Sequence, residues 1–397
     1  MVGYKIKIYR LLKGWSLDEL AAEVHRRGGQ ISKVALSKFE RGLINPTLKN
    51  LEILATVFGV KTLELVIPRK FEIKHLGFRK KQSLPKVEEH KYRNSAELEL
   101  EKYFWLIERL SPLFPNRSSL KMQEVNTIEE AEAIAEDLRK QWELGEGPIG
   151  KLTTVMEKNN CFVLPRSGSE KFDAYSVIAR DIMGDFHTGL VLYNEDFTGD
   201  RQRFTLSHEL GHFLISNDDV RKNEQFANRF ASAFLMPKSE IRSVIGFKRT
   251  HLTLEELIEY KKYFGASIHA IIYRLRDIGT INDDFAREWF MVLSACGMRK
   301  NEPGESLPKE EPEYIRTLLL RAIAEGFLTR VEAANKFGIE IKEKSDTSIS
   351  KITEFLQLPK GEQKKILSEQ AQQSIIFYAE DKELKEFREA DLGVIDE

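Results

Sequence analysis

Residues 208–212 read His-Glu-Leu-Gly-His, inside the run Phe204-Thr-Leu-Ser-His-Glu-Leu-Gly-His-Phe-Leu214. Side chains four apart share one face of a helix, so His208 and His212 can grip a single zinc ion. Glu209 is the carboxylate that such a site uses to take a proton from water at the metal. The motif constrains the fold because it needs partners. The segment must be helical, a second element must bring a third ligand to the same face, and a fourth position must stay open to water.

A Gly at 215 and a His at 218 would complete the metzincin pattern; Ile215 and Asp218 stand there, which excludes that class. Glu224 is the candidate third ligand, in Asn223-Glu-Gln-Phe-Ala-Asn-Arg-Phe-Ala-Ser-Ala-Phe-Leu-Met-Pro237. Apolar residues at 226, 227, 230, 231 and 234 mark a helix with one buried stripe. Pro237 cannot continue it, so it ends near Met236. Glu224 falls in the first turn and Asn228 one turn later on the same face, where its amide can hydrogen-bond the far nitrogen of a metal-bound His. Spacing alone leaves a second reading open for Glu224, a carboxylate that only complements the helix dipole.

His208-Glu-Leu-Gly-His212, Glu224-x-x-Ala-Asn-x-Phe-Ala and Leu235-Met-Pro237, with the lead-in Arg201-Gln-Arg-Phe-Thr-Leu-Ser207, closely resemble the ImmA/IrrE-type metallopeptidases over roughly residues 125–285. Phe234 stands where a Leu is common in that family. The resemblance implies a gluzincin-like site with His208, His212 and Glu224 as zinc ligands and Glu209 as general base. It also implies a substrate class, a helix-turn-helix repressor whose cleavage derepresses a stress, phage-defence or mobile-element operon. Zn²⁺ is the expected metal, and Mn²⁺ can substitute, because availability as well as affinity selects the ion.

Charge divides the chain. Residues 1–93 carry 20 Lys and Arg against 9 Asp and Glu, while the remainder carries 41 against 53. A basic first quarter on an acidic body assigns any nucleic-acid contact to the N-terminal part; the alternative is that opposite charges help the two parts dock. Residues 4–67 read as five short helices. Ile6, Tyr9, Leu11 and Leu12 give the first its apolar face. Ser16-Leu-Asp-Glu19 is a capping box for the second, Ser32 caps the third, and Gly42 and Gly59 stop the third and fourth. Leu20-Ala21, Leu36-Ser-Lys-Phe-Glu-Arg-Gly42, Asn45-Pro46-Thr47 and Leu51 through Gly59 resemble the XRE (lambda-repressor-like) helix-turn-helix family. That resemblance makes 33–41 the recognition helix, with Lys33, Val34, Ser37 and Lys38 facing outward toward DNA. Two lysines and a serine can reach phosphate or base edges, whereas Val34 offers only apolar contact. Docking of a peptide or repressor is the other use of such a domain.

Residues 68–93 read as a basic connector, whose Phe71 and Phe78 either stack bases of a single strand or pack on a neighbour. Residues 95–111 read as a linking helix. Thr127-Ile-Glu-Glu130 is a second capping box, Gly147-Pro148 opens another helix, and strands are expected at 161–164, 175–179 and 189–193. In zincins an edge strand holds the substrate backbone by strand addition. Two side chains near the expected cleft have paired readings: Tyr175 as oxyanion donor or packed strand residue, His187 as oxyanion donor or solvated hairpin-loop residue. Cys296 reads as a buried structural thiol, with a metal-capping thiolate as the alternative. Asn301-Glu-Pro-Gly-Glu-Ser-Leu-Pro-Lys reads as a turn-rich boundary, and helices follow at 310–345 and 350–390.

The expected fold class is multidomain, mainly α with a small β-sheet. An all-α five-helix helix-turn-helix domain spans 1–67, a basic connector and linking helix 68–124, an α+β zincin (gluzincin-like) domain 125–285, and a helical region without recognised chemistry 286–397. The expected cofactor is zinc and the expected partners are a small helix-turn-helix repressor as protein substrate and DNA, either a duplex operator or a single-stranded activator. A dimer is one option for the assembly. Two cysteines, no apolar leader and no run of about 18 apolar residues point to a cytoplasmic protein with no membrane contact. The rival reading is a DNA-binding regulator or antitoxin whose zincin domain serves as sensor or scaffold.

Overall fold

The computed structural model describes residues 2–68, 71–80, 84–110, 121–181, 187–298, 301–338 and 354–380. The chain divides into two compact units, 1–332 and 333–397.

The first unit begins with five helices: α1 (Val2–Leu12), α2 (Leu17–Arg26), α3 (Lys33–Glu40), α4 (Leu48–Phe58) and α5 (Thr62–Val66). The expected caps are in place. Ser16 and Glu19 form a complete capping box on α2, Ser32 accepts from Ala35 N at α3, and Gly59 closes α4 with φ of 76°. Ile6, Leu20, Val24, Leu36, Leu54 and Phe58 fill the core they enclose. Of the expected α1 face, Ile6 enters this core and Tyr9 packs against it, while Leu11 and Leu12 are half-buried; Ile8, Lys5 and Arg10 are buried as well, and the two charges are met internally. Arg10 pairs with both carboxylate oxygens of Glu40, and Lys5 reaches Glu101 at 2.9 Å.

Glu101 lies on α6 (Lys86–Arg109), which with β1 (Phe71–Lys80) replaces the expected connector. β1 pairs antiparallel with β4 (Phe172–Asp181) and forms one edge of a four-stranded sheet; the order is β1-β4-β5-β3, with β3 (Cys161–Arg166) and β5 (His187–Asn194) parallel. Phe71 stacks on Phe104 of α6, so its ring is packed and does not await a base. The Phe78 side chain lies outside the described residues. α6 runs along the sheet face bearing Tyr92–Phe172 and Tyr103–Phe162 stacks. It is a 24-residue helix, and residue 111 of the expected linking helix lies outside the described residues.

The other face of the sheet carries the larger hydrophobic core. α7 (Ile128–Gln141) starts at the expected Thr127–Glu130 capping box. α8 (Leu152–Lys158) starts at Leu152, later than Gly147-Pro148. α9 (Gly199–Leu214) packs under β4 and β5 and lies alongside α10 (Val220–Leu235). Leu206, Leu210 and Phe213 of α9 join Phe230, Phe234, Ala174, Val191 and Tyr193 in one core. β2 (Gln123–Glu124) pairs parallel with β6 (Ile215–Ser216) directly after α9. α11 (Lys238–Val244), α12 (Leu254–Phe264), α13 (Ile268–Asp277) and α14 (Asp283–Ala295) follow, with α15 (Tyr314–Ala324) and α16 (Arg330–Phe337).

Residues 301–313 bind this core closely, where the sequence suggested a boundary. Glu302 accepts from the backbone of Ile268 and His269 at the start of α13, and Glu310 does the same for Leu152 and Thr153 at the start of α8. Residues 286–332 therefore pack with what precedes them. In the second unit, the described residues include α17 (Lys360–Glu380). Among the described residues no helix is long and apolar enough to cross a membrane.

Candidate metal centre

Periodicity carries His208 and His212 to one face of α9, and α10 lays Glu224 against them. His208 Nε2 stands 3.0 Å from His212 Nε2, and the Glu224 carboxylate oxygens stand 3.3 Å from His208 Nε2 and 3.2 Å from His212 Nε2. Bonds of about 2.0–2.1 Å to a tetrahedral zinc place two donor atoms about 3.3 Å apart. The two imidazole nitrogens are close to that spacing, and Glu224 presents one carboxylate oxygen to each of them, with one ligand atom from every residue within 4.8 Å of the others. Among the described residues this is the one group of three or more His, Cys, Asp or Glu side chains that could hold a metal.

Asn228 Oδ1 lies 2.9 Å from His208 Nδ1; in the tautomer that donates from Nδ1, Nε2 is left able to bind a metal. Hydrogen bonding to His208, then to His212, holds the Glu224 carboxyl well below the usual carboxylate range. Two neutral imidazoles and one carboxylate form a donor set suited to zinc. His208 and Glu209 are 1% and 2% exposed, while the Glu224 side chain is 54% exposed, so the cluster opens toward α10.

Close helix approach makes this convergence possible. A Cβ on Gly211 would sit 3.1 Å from the Phe230 ring and 3.3 Å from Ala227 Cα. The glycine of the His-Glu-Leu-Gly-His motif is thus the point where α9 and α10 nearly touch. The start of α9 is fixed by Arg203, which sequence reasoning missed. Its guanidinium meets Glu310 at 2.6 Å and the carbonyls of Ile149, Gly150 and Gly265. A charged residue on an otherwise buried helix face was the available signal.

The remaining candidates are placed as follows. Tyr175 points to the α6 side of the sheet, with its hydroxyl against His75, so its surroundings are those of a packed strand residue on the face opposite α9. His187 is the first residue of β5, paired with Arg180, and not in the hairpin loop; its side chain lies outside the described residues. Cys296 caps the end of α14 and is exposed, which overturns both the buried reading and membership of the metal cluster. In the N-terminal domain Lys33, Val34 and Lys38 are exposed on α3 and Ser37 is half-buried. Lys33 pairs with Asp18 at 2.7 Å across that surface.

Residues 169–276 match the family model for the IrrE N-terminal-like domain, and residues 6–65 match that for the helix-turn-helix domain. The chain is also 32% identical over 74 residues to a "Neisseria hypothetical transcription factor" of Neisseria meningitidis serogroup B (strain ATCC BAA-335 / MC58), covering 19% of this chain and 65% of the relative. A segment similar to helix-turn-helix domains and one similar to IrrE N-terminal-like domains thus stand in one chain.

Proposed function

We propose that the protein is a zinc-dependent endopeptidase that cleaves a small helix-turn-helix repressor, with its own helix-turn-helix domain as the DNA-binding module. The convergence of His208, His212 and Glu224 within about 3 Å of one another carries this reading. These three residues would hold the metal, and zinc bound there would polarise the scissile carbonyl and ease deprotonation of water. Glu209 follows His208 in α9 and is withdrawn from bulk solvent. It takes the proton from the attacking water and returns it to the departing amine, and the second water proton follows, so one peptide bond and one water become a carboxylate and an ammonium. Asn228 fixes the tautomer and orientation of His208.

The test is digestion of a purified small helix-turn-helix repressor from the same organism. Zinc-loaded protein is expected to produce two fragments, and Glu209→Gln, with equal zinc, none. Absence of fragments with the parent, or their persistence with Glu209→Gln, rejects the proposal. The transcription-factor description of the Neisseria relative favours a second reading, a DNA-binding regulator whose zincin domain senses metal. Metal-dependent operator binding without proteolysis would support it.

A further inference from the structure

Helix α3 divides into an inner and an outer side. Leu36 and Phe39 enter the core of the helix-turn-helix domain, Ala35 packs against that core, and Glu40 pairs with Arg10. Lys33, Val34, Ser37 and Lys38 fall on the other side, as helical periodicity requires. When a helix-turn-helix binds duplex DNA, its second helix lies in the major groove and the residues of its N-terminal half meet base edges. These four side chains are therefore the ones placed to read sequence.

Their chemistry is narrow. No Asn, Gln, Asp or Glu stands among them, so adenine and cytosine lack their usual hydrogen-bonding readers. Lys33 is held toward α2 by Asp18 at 2.7 Å, and Ser37 is half-buried. Arg41, at the end of the helix, turns back to the Ser37 carbonyl at 3.4 Å. Lys38 makes no ion pair with any described residue and can extend to a guanine edge or a phosphate. Val34, one turn before Lys38 on the same face, is 62% exposed. The major groove carries one apolar feature among its base edges, the methyl group of thymine. Contact between that methyl and Val34 removes both from water.

We infer, resting on the DNA-binding reading of this domain, that Val34 packs on a thymine methyl and makes thymine the base the domain selects, with Lys38 contacting guanine or phosphate nearby. The test binds a random-sequence duplex library to full-length protein at low salt, then recovers and sequences the bound fraction. The bound sites are expected to share a thymine. Deoxyuridine in its place removes only the methyl and keeps the pairing with adenine; gel-shift titration should then show about fourfold weaker binding, the effect of losing one buried methyl. At the same position a 5-methylcytosine–guanine pair should bind about fourfold more tightly than cytosine–guanine. Val34→Ala, a change at an exposed site that leaves folding intact, should reduce both differences to below about twofold, since the methyl and the side chain act as a pair. Bound sites that share no thymine overturn the inference. So does equal binding of the thymine and deoxyuridine duplexes by the parent, or a fourfold difference that survives in Val34→Ala. A parent that binds no duplex at low salt rejects the DNA-binding reading and this inference with it.

Discussion

Asn228 Oδ1 lies 2.9 Å from His208 Nδ1, one helical turn beyond Glu224 on α10. A single helix thus carries both a candidate ligand and the group that contacts another candidate ligand. Asn228→Ala should lower zinc affinity about 10–100-fold, the usual effect of losing such a partner. Competition with a chromophoric chelator measures it. Unchanged affinity would show that Asn228 does not orient His208.

Gly211 sets how close the two helices come. Gly211→Val adds three carbons where even a Cβ is tight against Phe230 and Ala227. Overpacking of this kind costs about 1–3 kcal/mol. The expected result is a lower Tm together with weaker zinc binding, because Glu224 is pushed from the histidines. A Tm loss with parent-level zinc affinity would uncouple helix spacing from the metal centre.

Glu157 ends α8 inside the protein, accepting from Tyr314 N at 3.2 Å while its Oε1 has no hydrogen-bond partner. Burial pushes its carboxyl up to about 8, against the pull of the Tyr314 and Ile315 amides. The folded chain holds this proton after the unfolded chain has released its own near 4.5. Its contribution is therefore fully present below the unfolded value and is lost as pH rises through about 8. Glu97, raised to about 7 by burial, acts with the same sign. Glu157→Gln should flatten the decline in stability between about pH 5 and 8, read from urea midpoints across that range. An unchanged slope would contradict this account.

Lys33 and Lys38 lie exposed on α3, and the Lys33–Asp18 pair is a surface interaction that a phosphate can replace. Replacing both lysines by Ala should weaken duplex binding and reduce the salt slope by about 0.9 for each phosphate no longer neutralised. Gel-shift titrations at several salt concentrations measure it. A parent protein that binds neither duplex nor single strand at low salt would move this domain to protein docking. Cleavage stimulated by single strands but not by duplex would assign it to damage sensing.

The metal helix and its partner were legible because α-helical periodicity puts 208 and 212 on one face and 224 and 228 on another, while joining the two faces took the family resemblance. The helix-turn-helix was legible through its caps, Ser16, Ser32 and Gly59. β1 was not, although Phe71-Glu-Ile-Lys74 alternates as a strand should. The register shift between His75 and Gly77 breaks that period, and the basic charge suggested a linker. The role of 301–313 was hidden for another reason. Glu302 and Glu310 are buried by partners far away in sequence, Lys261 and Arg203, and no local pattern announces such pairs.

The central claim is that His208, His212 and Glu224 hold one zinc ion. Elemental analysis of purified full-length protein, parent beside His208→Ala/His212→Ala, tests it most directly. About one zinc per chain in the parent and none in the variant is the expected result. Equal metal in the two proteins would contradict it.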